Sequence, residues 1–432
     1  MSQNTEVLIS CHCGAAKQTV TLYSPGTQAT PVPLDINLCH CHACRHTSGL
    51  LCVSYAPIST PPSLSGLRIY PNESSPSSST AGLNRYFCNT CGCQIFRYER
   101  RSNNGNEGPD GLWAVATGII IGRAGAKDEH AEQEHDSNGP LLKHARHLHT
   151  TGTKDGGLSP FIDIDSAEEP SELERRGHGT TSPLHPTSST NDEESEEMLQ
   201  AHCHCKNVRF HITRPDASSR LPHSGFPDLM IPFKTSPREV ITNPQKEKWW
   251  LCPQGDPSPT KYLAGTCTCR SCRLVSGFEI QTWAFVPRSN IFFLPPSPPP
   301  SASTSPPPPP SSPPSLSGTI PLDFTTLPPG ILQSYESSPG VLREFCPRCG
   351  ATVFWHDRWR PDLVDVSVGL LDAPEGARAE RWLDWWHGRV SFDEDAENER
   401  FGEVADWARG LVDSLAQGLR RWEDEGRKAN RC

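Results

Sequence analysis

The cysteines of this chain come in two matching sets, and that repetition constrains the fold more than any other feature. The first set is CHCG (Cys11, Cys13), then CHCHAC (Cys39, Cys41, Cys44), then FCNTCG (Cys88, Cys91). The second is CHCK (Cys203, Cys205), then CTCRSC (Cys267, Cys269, Cys272), then FCPRCG (Cys346, Cys349). Order and internal spacing agree, and CRHTSG parallels CRLVSG as FCNTCGCQIF parallels FCPRCGATVF. The chain is an internal duplication. Fourteen of its 18 cysteines belong to the two sets, which leaves Cys52, Cys93, Cys252 and Cys432 as buried or tail thiols without a shared ligand role.

Clustered short spacings of this kind read as metal ligands in a reducing compartment. The opening MSQNTEVLISCHCG has neither a basic n-region nor an apolar core, so the expectation is a cytoplasmic or nuclear protein without a secretory signal. No stretch approaches the roughly 18–20 apolar residues of a membrane span. The 40 basic and 50 acidic residues give a net charge of −10, which argues against a general nucleic-acid binder.

Structural zinc takes four ligands in a tetrahedron, with thiolates about 2.3 Å from the metal. A C-x-C pair and a distant C-x-x-C pair supply four, and clamping segments 75 residues apart closes a large loop. Cys11, Cys13, Cys88 and Cys91 form one expected site; Cys203, Cys205, Cys346 and Cys349 form its twin. Three cysteines remain in each repeat, the number of protein ligands in a catalytic zinc site that keeps an exchangeable position. A fourth protein ligand could instead close the site, with His40 or His42 the candidates. The second repeat has Thr268 and Arg270 at those positions, so the comparison favours an open site with the histidines as neighbours. A tri-thiolate zinc is a weak Lewis acid suited to a soft incoming thiol. Coordination would lower that thiol's pKa from about 8.5 and ready the sulfur for a small carbonyl.

Only 35% of residues are hydrophobic and 43 are proline, so part of the chain is expected to be linker. Residues 166–198 are polar and acidic without apolar periodicity and read as a disordered linker. A proline-rich tract at 295–315 reads as a loop insertion that could dock an SH3- or WW-type partner. The expected organisation is a zinc domain over 1–165, the linker, a second zinc domain over 199–400, and a C-terminal helix over 401–432. GLLCVSYAPI, QIFRYE, LWAVATGIII, GFEIQTWAFVP and TVFWHD read as short strands. Val404, Trp407, Ala408, Leu411, Leu415, Leu419 and Trp422 recur as one face of an amphipathic helix, expected to pack on its own domain.

Together these motifs resemble the glutathione-dependent formaldehyde-activating enzyme family, which also includes centromere protein V. The pattern C-x-C-G, C-x-C-x-x-C-R, F-C-x-x-C-G covers most of both repeats. Residues 146–162 look like the ending of single-copy relatives, and the second repeat looks like tandem members of fungal type. The resemblance implies a mainly β fold, two tandem β-tent domains of antiparallel strands, each with a four-cysteine and a three-cysteine zinc, up to four zinc ions per chain. It implies Cys39, Cys41, Cys44, Cys267, Cys269 and Cys272 as the catalytic-type ligands. The implied activity is a carbon–sulfur lyase that condenses formaldehyde with glutathione to S-(hydroxymethyl)glutathione, or handles a related thiol adduct. Arg45 and Arg273, just after the third ligand, are candidates for pairing with a substrate carboxylate. Lys206 departs from the pattern where the family has glycine. The alternative is a non-catalytic, zinc-stabilised scaffold that recruits partners through the proline-rich tract. A chromatin or microtubule role is disfavoured by the acidic charge.

Overall fold

A computed structural model describes residues 5–23, 33–71, 82–100, 111–125, 140–164, 198–294 and 318–429. The proline-rich tract, and the acidic linker up to residue 197, lie outside the described residues. The fold is mainly β. The first two strands illustrate why: TEVLI and QTVTL alternate apolar with polar residues, and the pleat sends Val7, Ile9, Val20 and Leu22 to one buried face. The helices of seven residues or more among the described residues are α1 (His42–Ser48), α2 (Arg270–Ser276) and α3 (Glu403–Ala429). Among the described residues no helix is long and apolar enough to cross a membrane.

The duplication seen in the cysteines extends to strand order. In the first repeat an antiparallel run goes Leu67–Pro71, Leu83–Cys88, Gln94–Arg100, Gly111–Ala116, Tyr55–Ile58. In the second, Gln333–Ser338, Val341–Phe345, Thr352–Asp357, Leu363–Ser367 and Gln281–Pro287 follow in the same order. The strand leading into each three-cysteine cluster also has a parallel neighbour, Leu34–Cys39 beside Leu142–Leu148 and Lys261–Cys267 beside Leu383–Trp385. The repeats differ at their starts. Thr5–Ile9 and Gln18–Leu22 extend the first eight-stranded sheet, whereas Met198–His202 and Arg209–Thr213 build a separate four-stranded sheet.

The repeats are packed into one another. A single apolar core joins Leu38, Leu50, Leu51 and Phe161 of the first to Phe210, Trp250, Phe285 and Val364 of the second. Backbone bonds cross the junction in matching pairs: Gly118 N–H donates to Gly277 O at 3.0 Å, and Gly369 N–H to Gly49 O at 3.1 Å. Gly49 and Gly277 end α1 and α2 with φ of +83° and +88°. A Cβ at Gly49 would lie 2.2 Å from the Thr352 carbonyl oxygen, and one at Gly277 would lie 2.4 Å from that of Gln94. Only glycine meets both the left-handed turn and the close approach.

This junction explains where strands stop short of the expected runs. GLLCVSYAPI is a strand only over Tyr55–Ile58, because Gly49–Leu51 lie against the other repeat. LWAVATGIII divides into Gly111–Ala116 and Ile120–Arg123, with a 3-10 turn at Thr117–Ile119 where Gly118 bonds across. The C-terminal helix corrects the expectation about its packing. The start of its apolar face lies on the first repeat, and Leu411, Val412, Leu415 and Leu419 continue into the core that both repeats share. Val404, Trp407 and Ala408 join the first repeat's core, Trp407 stacks on His144 with centroids 4.6 Å apart, and Trp422 meets Phe161 edge-on. Glu403 fixes the start of α3 through a bidentate pair with Arg123 at 2.8 and 2.9 Å.

Candidate metal centres

The four-cysteine sets converge from opposite ends of each repeat. Cys11 and Cys13 sit in the turn after Thr5–Ile9, and Cys88 ends a strand whose C-x-x-C turn is closed by Gly92 N–H donating to Cys88 O at 3.0 Å. The Cys13 sulfur lies 3.6 Å from that of Cys11 and 3.5 Å from that of Cys88. In the second repeat Cys205 lies 3.4 Å from Cys203 and 3.5 Å from Cys346. In each set all four sulfurs fall within 4.8 Å of one another. A tetrahedral thiolate shell about 2.3 Å in radius puts its sulfurs about 3.8 Å apart, so both sets fit zinc. The second C-x-C turn keeps its backbone shape without its glycine. Lys206 takes φ +57° where Gly14 has φ +78°.

The three-cysteine sets are built by a short helix. Cys41 caps α1, its sulfur 3.4 Å from the Cys44 N–H, and Cys269 caps α2 in the same way at 3.3 Å from the Cys272 N–H. The capping turn brings Cys39, Cys41 and Cys44 together within 4.8 Å, and likewise Cys267, Cys269 and Cys272. Cys41 and Cys269 are the partly exposed members; the others are buried. Neither His40 nor His42 joins the cysteines within that limit. His40 Nε2 instead pairs with His147 Nδ1 at 2.9 Å.

Sequence reasoning missed two residues at these centres. Arg85 Nη2 lies 3.8 Å from the Cys44 sulfur, and Arg343 Nη1 lies 3.5 Å from that of Cys272. Both arginines are 3% exposed. A buried cation needs a compensating anion. Three thiolates with one divalent ion carry a net charge of −1, which one guanidinium balances. The donor set and its buried counter-charge therefore fit a tri-thiolate zinc. Hydrogen bonds from Cys39 and Cys41 hold the Cys44 thiol well below its ordinary range, with Arg85 and Arg97 reinforcing them against burial. Cys272 is held down in the same way by Cys267 and Cys269, with Arg343. The signal was available in RYFC and REFC, each with an arginine three residues before the first knuckle cysteine.

Each four-cysteine turn of one repeat rests on the three-cysteine helix of the other. His12 N–H donates to Leu274 O at 3.1 Å, and His204 N–H donates to His46 O at 2.8 Å. The same histidines reach tyrosines across the junction, Tyr335 from His12 at 2.8 Å and Tyr70 from His204 at 2.6 Å. Arg273 is 1% exposed and donates to the carbonyls of Gly118 and Asn398, at 2.6 and 2.7 Å. Arg45 is also buried, with Nε and Nη1 lacking partners among the described residues. Cys52, Cys93 and Cys252 are buried thiols whose pKa values burial pushes up; Cys432 lies outside the described residues.

Fold and site together define a mainly β protein with cysteine clusters suited to metal, two kinds in each repeat. Residues 6–128 match the glutathione-dependent formaldehyde-activating enzyme family. The match spans the first repeat's four-cysteine and three-cysteine sets. No curated protein and no solved structure matches the chain.

Proposed function

We propose that the chain is a zinc-dependent carbon–sulfur lyase of the S-(hydroxymethyl)glutathione synthase type, acting on glutathione and formaldehyde or on a closely related thiol and aldehyde. The observation that carries this reading is the pair of three-thiol clusters, each with a buried arginine as counter-charge and, among the described residues, no fourth His, Cys, Asp or Glu grouped with them. Both repeats would hold two zinc ions, the four-cysteine sets as structural clamps and the three-cysteine sets as reaction centres. Zinc bound by three thiolates supplies a soft acid that lowers the pKa of an incoming thiol.

The reaction balances without an oxidant. A sulfur–carbon bond forms at the aldehyde carbon, the carbonyl π bond opens, and the thiol proton ends on the resulting hydroxyl oxygen. The chain's own groups hold charge and position for it. Arg85 and Arg343 keep the cluster thiols anionic in a dry setting where an unpaired charge would be costly. Arg45 and Arg273, buried just after the third ligand of each cluster, are the groups that would pair with a substrate carboxylate in this reading. Cys41 and Cys269 face the side open to solvent, from which small reactants would enter.

The test is the rate of adduct formation from formaldehyde and glutathione, followed by exchange NMR with the full-length protein. The wild type should accelerate exchange, and the C41S/C269S variant should return it to the uncatalysed rate. Equal rates for the two proteins would leave a scaffold role in its place.

A further inference from the structure

One cluster of potential ligands is not part of the duplicated chemistry. His42 and His46 lie one turn apart on α1, so their rings share a face of the helix. His202, from the second repeat's Met198–His202 strand, completes the group, and ligating atoms of all three fall within 4.8 Å of one another. The rings are stacked, with centroids 3.9 Å apart for His42 and His46 and 4.3 Å for His46 and His202.

The hydrogen bonds fix which nitrogens are free. His46 is fully buried; its Nδ1 lies 2.7 Å from the His202 carbonyl oxygen, so Nδ1–H donates there. Its Nε2 then carries a lone pair and has no partner among the described residues. His202 repeats the pattern. Its Nδ1 donates to the Cys203 carbonyl at 3.1 Å, and its Nε2 faces the Asp372 carboxylate at 3.8 Å. An imidazole that donates one ring N–H to a carbonyl and turns the other nitrogen toward its neighbours is the arrangement of metal-ligating histidines.

The corresponding positions across the junction hold Ser10, Arg270 and Leu274, and Arg270 there pairs with Glu399 at 2.6 Å. The histidine group is therefore private to one side of the molecule. The buried His46 Nε2, without a partner among the described residues and turned toward two further imidazoles, is an orphaned polar atom whose cost a bound ion would offset.

We propose that His42, His46 and His202, with Asp372 at the rim, form a nitrogen-donor site for a divalent transition metal, best suited to Zn2+, that staples α1 of the first repeat to the opening strand of the second. Three imidazoles and a carboxylate are a zinc donor set. His42 and Asp372 are exposed, so an ion can enter from solvent. The site is separate from both kinds of cysteine cluster and needs no catalytic activity in them.

The test uses full-length protein whose cysteine centres are already loaded with zinc, titrated with Zn2+ alone against a chromophoric chelator. The wild type should take up one further equivalent, with an X-ray absorption shell of nitrogen and oxygen for that ion, and its thermal midpoint should rise on binding. H42Q/H202Q should bind that equivalent about tenfold or more weakly, and its midpoint should no longer respond. The single variant H42Q, at an exposed position, should show the same loss and guards against a folding failure in the pair. Absence of the further equivalent in the wild type at micromolar Zn2+ would overturn the proposal, as would undiminished binding in H42Q.

Discussion

The His12 imidazole, set between two cysteines of the first repeat, meets the Tyr335 hydroxyl of the second at 2.8 Å. His204 and Tyr70 make the reciprocal contact at 2.6 Å. Each four-cysteine turn is thus braced by the other repeat, which makes the junction part of the support of these candidate metal centres.

Tyr335→Phe removes that hydroxyl and leaves His12 Nδ1 unpaired in a partly buried site. A lost hydrogen bond of this type costs about 0.5–1.5 kcal/mol. Urea unfolding should register the loss, and adding His12→Gln should cost less in Y335F than in the wild type. Strictly additive effects would mean that the two residues do not support one another.

The left-handed residue after each C-x-C offers a test of backbone strain. No atom lies within 4 Å of a Cβ built on Gly14, so Gly14→Ala changes only conformational preference and should cost about 1–2 kcal/mol. Lys206 holds the same region at φ +57°, and Lys206→Gly should be neutral or stabilising by up to about 1 kcal/mol. Calorimetric midpoints moving in the opposite directions would contradict this account of the turn.

Glu279 and Arg400 form a buried ion pair at 2.9 Å, with side-chain exposures of 2% and 0%. Thr117 donates to the other Glu279 oxygen at 3.0 Å, so the pair also ties the first repeat to the chain before α3. Glu279→Gln strands the guanidinium and should destabilise by about 3–5 kcal/mol. A change below about 1 kcal/mol in denaturant unfolding would show that the charge is otherwise compensated.

His144 stacks on Trp407, and neither of its ring nitrogens has a hydrogen-bond partner among the described residues. Burial, with His147 adding to it and Glu279 opposing, holds its pKa down to about 4 from an ordinary 6.5. Below pH 6.5 the unfolded chain takes up a proton at this site that the folded chain refuses. Its contribution to stability is therefore present at neutral pH and falls by about 3 kcal/mol as pH drops toward 4. His144→Phe should remove this dependence, so its advantage over the wild type should grow through that window. A constant difference between the two from pH 7 to pH 4 would refute the assignment.

Much of the site was legible in the sequence because metal ligands are local signals. C-x-C, C-x-C-x-x-C and C-x-x-C are short, and having two examples in one chain separated Cys39, Cys41 and Cys44 from their flanking histidines. The junction was not legible, because it depends on contacts between residues hundreds of positions apart. Gly49 and Gly277 look like ordinary helix ends until Thr352 and Gln94 are found against them. The periodicity of α3 gave its buried face but carried no information about which repeat would cover it. Arg85 and Arg343 were overlooked because strand residues are usually read for their apolar pattern, and their function depends on a thiol cluster from another element.

The most direct test of the central claim is the zinc content of full-length C44S/C272S beside the wild type, measured on protein purified without chelator. If the three-cysteine clusters are metal centres, the variant should carry about two fewer zinc ions per chain while its four-cysteine centres stay filled. An unchanged zinc content would contradict the account, since the paired thiols and their buried arginines would then be holding no metal.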